Sequence, residues 1–314
     1  MLKRATRPLV LLVDRYLPDP YIIVLILTVL VFVLGSLLPG QDVVSVLGFW
    51  GDGFWDLLAF SMQMLLVLVT GFILANTPAV QFLLNAVARR LASPTQAIIT
   101  VTLFSMLASW INWGFGLVVG AMFAKAVAKT VRVDFRLLVA SAYSGFIVWH
   151  GGLSGSVPLA IATPGHFAEE AMGVIPASET IFSVFNLVIL VTLALIIPVI
   201  NVLMMPGRQH SVFVDPDALS VSNENENENV SIKRPADRLE HSPILSYLIA
   251  GAGAIFLLNH FFSGGTLNLN IVNFTFLVLA IFLHKTPRRF LKSLNDAIRS
   301  GAGIVMTFPP NLGP

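Results

Sequence analysis

The stretch that decides the fold is LASPTQAIITVTLFSMLASWINWGFGLVVGAMFA, Leu91–Ala124, which holds no Asp, Glu, Lys or Arg. A bilayer core about 30 Å thick takes roughly 20 apolar helical residues. The stretch is therefore too long for one crossing and tight for two with a turn. Arg89 and Arg90 precede it and Lys125 follows, so the positive-inside rule puts both ends on the same side. The chain enters and returns. Its middle reads SWINWGFG, Ser109–Gly116. Two short full spans or a re-entrant hairpin would satisfy this pattern. The hairpin is favoured, because non-helical backbone at membrane depth is tolerated where protein protects it.

Working outward, Tyr21–Leu38 and Leu57–Ala75 are uncharged and each reads as one span. Leu137–Phe167 is uncharged but interrupted by Gly and Ser, and Thr180–Gly207 reads as one long, tilted span. His241–His284 splits at SGGTLNLN, Ser263–Asn270, into two spans. The first span exceeds the apolar core of a signal peptide, and no small-residue cleavage site follows it. Across the chain 56% of residues are hydrophobic and 11% charged, with mean hydropathy +0.82. Soluble domains carry about 25% charge, so a water-soluble enzyme is excluded. The absence of Cys removes disulfides and thiolate chemistry.

The basic residues give the orientation. All 19 fall in Lys3–Arg15, Arg89–Arg90, Lys125–Arg136, Arg208–Arg238 and Lys285–Arg299. The loops Pro39–Asp56, Glu169–Glu179 and Ser263–Asn270 contain none. The first set is expected in the cytoplasm and the second outside, with the N-terminus cytoplasmic. Every crossing agrees with that assignment. The loop at 206–242, with its run NENENEN (Asn223–Asn229), reads as a solvated connector.

Polar groups at membrane depth are costly and usually functional where they persist. The first such cluster is Asn112, Trp113, Gly114, Phe115 and Gly116; Asn supplies a carbonyl and two donors, and the glycines allow close approach of backbone. The second is WHGGLSGSVP, Trp149–Pro158, where Gly151, Gly152, Gly155 and Pro158 disfavour continuous helix, and Ser154 and Ser156 supply hydroxyls. A second half-helix is expected from about Ser156, its N-terminus suited to a carboxylate. Packing contacts between small residues would explain both clusters without a ligand. His150 is a candidate proton relay, or a structural histidine. His166, Glu169 and Glu170 have metal-ligand chemistry but read as a solvated external loop, and no metal is expected. Asp52 and Asp56 flank Phe54 and Trp55 as interfacial anchors. Nothing suggests a nucleophile with its base, a phosphate loop or a nucleic-acid surface, and the basic clusters are accounted for by topology.

Several long strings carry a resemblance: RYLPDP (Arg15–Pro20), WGDGFWDLLAFSMQM (Trp50–Met64), INWGFGLVVGAMFA (Ile111–Ala124), GGLSGSVPL (Gly151–Leu159), ATPG (Ala162–Gly165) and LHKTP (Leu283–Pro287). With these the chain, from about Arg15 to Phe308, resembles the bacterial short-chain fatty acid transporter family, permeases associated with acetoacetate and butyrate catabolism. The resemblance implies a secondary transporter, not an enzyme, that moves small monocarboxylate anions through the inner membrane. It implies coupling to H⁺ or Na⁺ and no other cofactor; a homo-oligomer is compatible with it, and the sequence leaves the oligomeric state open.

It also implies an all-α polytopic fold of two inverted repeats, each with a re-entrant hairpin and a discontinuous helix. On that pattern residues 1–262 hold the first repeat and a linker span. They comprise spans 21–38 and 57–75, hairpin 91–124, broken helix 137–163, loop 206–242, and spans 180–205 and 243–262. Residues 270–314 would begin the second repeat. Family members continue beyond the point where MTFPPNLGP ends this sequence. The expectation is a truncated product, a frameshift or an incomplete gene model, with Ser300–Pro314 as a partial span and no transport by this length of chain. The expected site sets Asn112–Gly116 against Gly151–Ser156, with backbone N–H groups and Ser hydroxyls on the carboxylate, and Trp113 and Phe115 on the acyl chain. Rival readings are a carrier of dicarboxylates, a membrane enzyme acting on lipid, and a non-transporting remnant.

Overall fold

The computed structural model describes residues 15–16, 18, 20–40, 42–53, 55, 57–215 and 235–307. The described residues form helices and connecting turns and contain no strand. Five helical segments are long and apolar enough to cross a membrane: Leu58–Ala75, Pro94–Ile111, Phe135–Ile161, Val184–Leu203 and Pro243–Phe262. Four shorter apolar helices accompany them. The protein is an all-α polytopic membrane protein. The NENENEN run, Phe54, Asp56 and the PPNLGP tail lie outside the described residues.

The chain forms two compact units, Met1–Leu65 with Ser300–Pro314, and Leu66–Arg299. In the first, α1 (Pro20–Ser36) is followed by α2 (Val43–Gly53). Gly35 lies against a Val46 methyl, and the Phe32 and Trp50 rings meet edge-on at 6.2 Å. Helix α2 occupies what reads as a plain external loop, because its polar and Gly content masks a short helix. Asp52 is exposed on it.

Helix α3 (Leu58–Ala75) leads into the second unit, followed by α4 (Pro78–Ala88), α5 (Pro94–Ile111) and α6 (Trp113–Ala128). Thr77 and Ser93 cap α4 and α5 ahead of Pro78 and Pro94, the combination of N-cap hydroxyl and first-turn Pro that starts helices well. Next come α7 (Phe135–Ser144), a 3-10 segment Gly145–Gly151, α8 (Ser156–Ile161) and α9 (Glu169–Met172). The last helices are α10 (Val184–Leu203), α11 (Pro235–Glu240), α12 (Pro243–Phe262), α13 (Leu269–His284) and α14 (Pro287–Thr307).

The core of the second unit is apolar. Ala97, Ile98, Val101, Val119, Phe123, Val127 and Leu138 are fully or almost fully buried, and Phe104 packs on Phe123 at 4.9 Å between ring centres. Helix α10 shows the reverse pattern: its mean hydropathy is 2.6, yet only 11% of it is buried. Phe185 and Leu195 are 78% and 67% exposed. Such a surface is stable only against lipid.

At the end of the hairpin the chain is anchored by Asp134. Its carboxylate caps α7 at the Leu137 N–H (2.9 Å) and accepts from Val212 N–H (2.7 Å) and Arg136 (3.2 Å). Burial pushes the carboxyl pKa up, and these donors outweigh burial, holding it below the ordinary aspartate value.

One boundary differs from the sequence reading. Helix α14 starts at Pro287, so Ser300 lies inside it rather than opening a separate apolar span. Proline is favoured in a helix's first turn, while the charges of 288–299 conceal the helix from a search for uncharged runs.

Candidate functional site

Asn112 is the single residue between α5 and α6 and belongs to both ends at once. Its N–H bonds back to Ala108 O (3.0 Å), closing α5. Its side-chain Oδ1 accepts from Phe115 N–H at 2.8 Å, capping α6. An extended backbone there, φ −154° and ψ 125°, reverses the chain in one step. The stretch Leu91–Ala124 is thus a helical hairpin with arms of 18 and 16 residues. Its second arm continues past Lys125 to Ala128.

The structure brings the two polar clusters together. Ser154 Oγ, fully buried, accepts from Trp113 N–H at 2.8 Å. Leu153 N–H donates to Trp110 O at 2.6 Å. The break therefore closes over the hairpin tip, and two first-turn N–H groups of α6 are held by Asn112 and Ser154. As an acceptor in that bond, the Ser154 hydroxyl keeps its own hydrogen for donation. The break begins at Gly145, earlier than Trp149, and runs as a 3-10 helix before α8 starts at Ser156. Helix α8 has six residues, so its dipole is small. The sixteen-residue α6 presents the stronger positive end, at the hairpin tip.

The glycines serve the packing. A Cβ on Gly114 would lie 2.6 Å from Leu68 Cα and 2.8 Å from Val67 O of α3. One on Gly116 would strike Ser109, one on Gly152 the Trp110 carbonyl, one on Gly151 the Asn186 amide, and one on Gly155 the His150 carbonyl. Protein fills these spaces, so the close approach that the glycines permit is between segments of the chain itself.

Four buried polar atoms at the tip have no hydrogen-bond partner among the described residues: Asn112 Nδ2, Ser109 Oγ, and the indole Nε1 of Trp110 and Trp113. Asn112 and Ser109 are fully buried. An unsatisfied buried donor costs about 1–3 kcal/mol, so this short segment holds an uncommon concentration of unused donors. Apolar rings flank it. Trp113 meets Trp149 at 5.9 Å, Trp149 stacks on Phe146 at 5.6 Å, and Phe115 meets Phe276 of α13 at 6.0 Å. Donors for an anion beside aromatic walls suit a small carboxylate with a short apolar tail.

His150 is exposed, with its ring 3.7 Å from that of Trp149. Ser156 is half-buried at the start of α8. In the loop after α8, the Glu169 carboxylate accepts Gly165 N–H, and His166 bonds Ala168 N–H (3.2 Å) and Gly173 O (3.1 Å). These side chains tie the loop to itself. Among the described residues no three His, Cys, Asp or Glu are grouped for a metal.

Sequence reading missed the two asparagines that brace the break from α10. Asn186 Nδ2 donates to Gly151 O (3.0 Å) and Ile181 O (2.7 Å). Asn201 Nδ2 donates to Thr102 Oγ1 (3.0 Å) and Ser144 Oγ (2.8 Å), joining α10, α5 and the end of α7. The signal was present: an Asn within an apolar span is as costly as Asn112. Asn201→Ala should lower the unfolding temperature in detergent, by a loss of about 1–3 kcal/mol for a buried network left unpaired. An unchanged melting temperature would show that the network does not stabilise the break.

The family model described as short chain fatty acid transporter matches residues 1–313. Two relatives carry names that provisionally assign them short-chain fatty acid transport. One, from Escherichia coli (strain K12), is 43% identical over 311 residues, 98% of this chain and 71% of its own length. The other, from Haemophilus influenzae (strain ATCC 51907 / DSM 11121 / KW20 / Rd), is 38% identical over 318 residues, with the same coverage of 98% and 71%. No solved structure matches the chain.

Proposed function

The chain belongs to the short-chain fatty acid transporter family, and from that premise we propose where its substrate binds and how it is oriented. The protein is a multi-pass membrane transporter of short-chain fatty acids and not an enzyme; the dicarboxylate and remnant readings are not favoured. Substrates of the butyrate and acetoacetate class bind at the hairpin tip. Asn112, Trp113, Gly114, Phe115 and Gly116 form one side of the site, and Gly151, Gly152, Ser154, Gly155 and Ser156 the other. The Asn112 amide, the indole N–H groups and the Ser154 hydroxyl hold the carboxylate, and Trp113, Trp149 and Phe115 cover the acyl chain.

The observation that carries this reading is the set of buried donors without partners at Ser109–Trp113. A carboxylate would satisfy several at once, and charge-assisted bonds are roughly twice as strong as neutral ones. The family's inverted repeats supply the movement, with residues 1–262 as the first repeat and linker and 270–314 opening the second. The protein lies in the inner membrane with its N-terminus in the cytoplasm, and couples to H⁺ or Na⁺, with His150 as the candidate relay.

Vesicles carrying the protein should take up labelled butyrate saturably, with competition from acetoacetate and little from succinate. Ser154→Ala should weaken uptake several-fold with unchanged membrane content, and wild-type uptake would place the site elsewhere. Orientation is checked on the same Cys-free chain. Single cysteines replacing the exposed Arg90 and Lys129 should resist an impermeant thiol reagent added outside intact cells, while one replacing Ser178 should react. The opposite pattern would invert the topology.

A further inference from the structure

The amphipathic helix α14 takes no part in the site described above. It begins at Pro287, with two residues between it and His284, where the apolar helix α13 ends. Lys285, at φ 65°, turns the chain between them. Consecutive Cα atoms are 3.8 Å apart, so the start of α14 lies close to the end of α13.

Within 288–299 the charges are Arg288, Arg289, Lys292 and Arg299 against Asp296, an excess of three positive. At 3.6 residues per turn these residues sort into three faces. Ser293 and Ala297 are buried, 6% and 0% exposed, and mark one face as covered. An ion pair from Arg288 to Glu240 at 3.5 Å fastens the helix to α11. Leu291 and Ile298, seven residues apart and so one above the other, are 49% and 53% exposed. Lys292 and Arg299, also seven apart and exposed, run alongside them with Arg289 beyond. An exposed aliphatic ridge bordered by a row of cations is the pattern of a helix lying in the headgroup layer, apolar edge toward the acyl chains and cations at the phosphates.

We propose that α14 is an interfacial helix that binds anionic lipid headgroups through Arg289, Lys292 and Arg299, with Leu291 and Ile298 dipping into the acyl boundary. The helix lies on the leaflet beside the basic loops. An aqueous setting would leave two large aliphatic side chains in water for no gain. A purely apolar protein partner would bury the cations unpaired, which costs far more than leaving them at a phosphate surface. The lipid interface alone satisfies both edges. This inference rests on the protein's being in a membrane and on nothing about its substrate.

The chain's lack of Cys makes the test direct. Spin labels on single cysteines replacing Leu291, Ile298 and Asp296 are examined in phosphatidylcholine vesicles with and without phosphatidylglycerol. Labels at 291 and 298 should be reached by oxygen and shielded from a polar nickel complex, and the label at the exposed position 296, on the side of the helix away from the ridge, should show the reverse. In parallel, Arg289→Gln, Lys292→Gln and Arg299→Gln are combined and co-purified phosphatidylglycerol is measured. A basic residue near an anionic surface is worth about fivefold in binding, so the triple variant should retain much less phosphatidylglycerol than wild type at equal phosphatidylcholine. Shielding of 291 and 298 from both reagents would mean that protein covers the ridge, and access to the nickel complex would mean water; either overturns the proposal. Unchanged phosphatidylglycerol retention would overturn the lipid-binding role of the cations. Neither readout involves substrate, so failure here leaves the hairpin site untouched.

Discussion

Asn112→Asp is expected to reduce butyrate uptake by about tenfold to a hundredfold, the loss for a hydrogen bond to a charged ligand of about 1.5–3 kcal/mol, while the protein still accumulates and folds. The substitution separates two roles that one side chain performs. Oδ1 caps α6 at Phe115 N–H, and Asp caps a helix as well as Asn does. Nδ2 is the buried donor without a partner, and Asp replaces it with an oxygen that repels a carboxylate. Asn112→Ala should lose the cap as well, lowering both uptake and thermal stability. Asn112→Asp protein with full uptake would leave Asn112 as a helix cap and nothing more.

Gly114→Ala should cost substantial stability. Its Cβ would meet Leu68 Cα at 2.6 Å and Val67 O at 2.8 Å, backbone atoms of α3 that cannot swing aside as a side chain would. Relieving the clash means moving α6 away from α3, and with it the capped tip at Asn112. Overpacking of this kind costs typically 1–3 kcal/mol and occasionally more. The measurement is thermal unfolding in detergent. Gly251→Ala is the matched control, since Gly251 is also helical and nothing lies within 4 Å of its would-be Cβ. That change should be neutral or stabilising by up to about 1 kcal/mol through helix propensity alone. Equal behaviour of the two variants would show that α3 and α6 are not in contact as described.

The apolar spans and the break points were legible because they depend on local quantities. An uncharged run of bilayer length has few options other than a span, and Gly, Ser and Pro crowded at Gly151–Pro158 cannot continue one. Charge hides structure from the same reading: α14 was missed because a search for uncharged runs discards a helix that is apolar on one side only. Helix α2 was missed for a similar reason, in a loop whose Gly and Asp content suggests turns.

What the sequence determined by itself was the all-α membrane class, the chain reversal at Ser109–Gly116 and the discontinuity near Ser156, since each follows from hydropathy and backbone preference over neighbouring residues. Tertiary structure alone decided what those features touch. The bond from Trp113 N–H to Ser154 Oγ joins positions 41 residues apart, and the one from Asn201 to Thr102 joins positions 99 apart. No local propensity encodes such a pairing. The same is true of the glycines, whose sequence pattern allowed either a ligand or a neighbouring helix at close range. Only the position of α3 against Gly114 and of Trp110 against Gly152 assigns that space to the chain itself. The donors left over at the tip were equally invisible in one dimension, because whether an amide is satisfied depends on which atoms the fold brings within hydrogen-bonding reach of it.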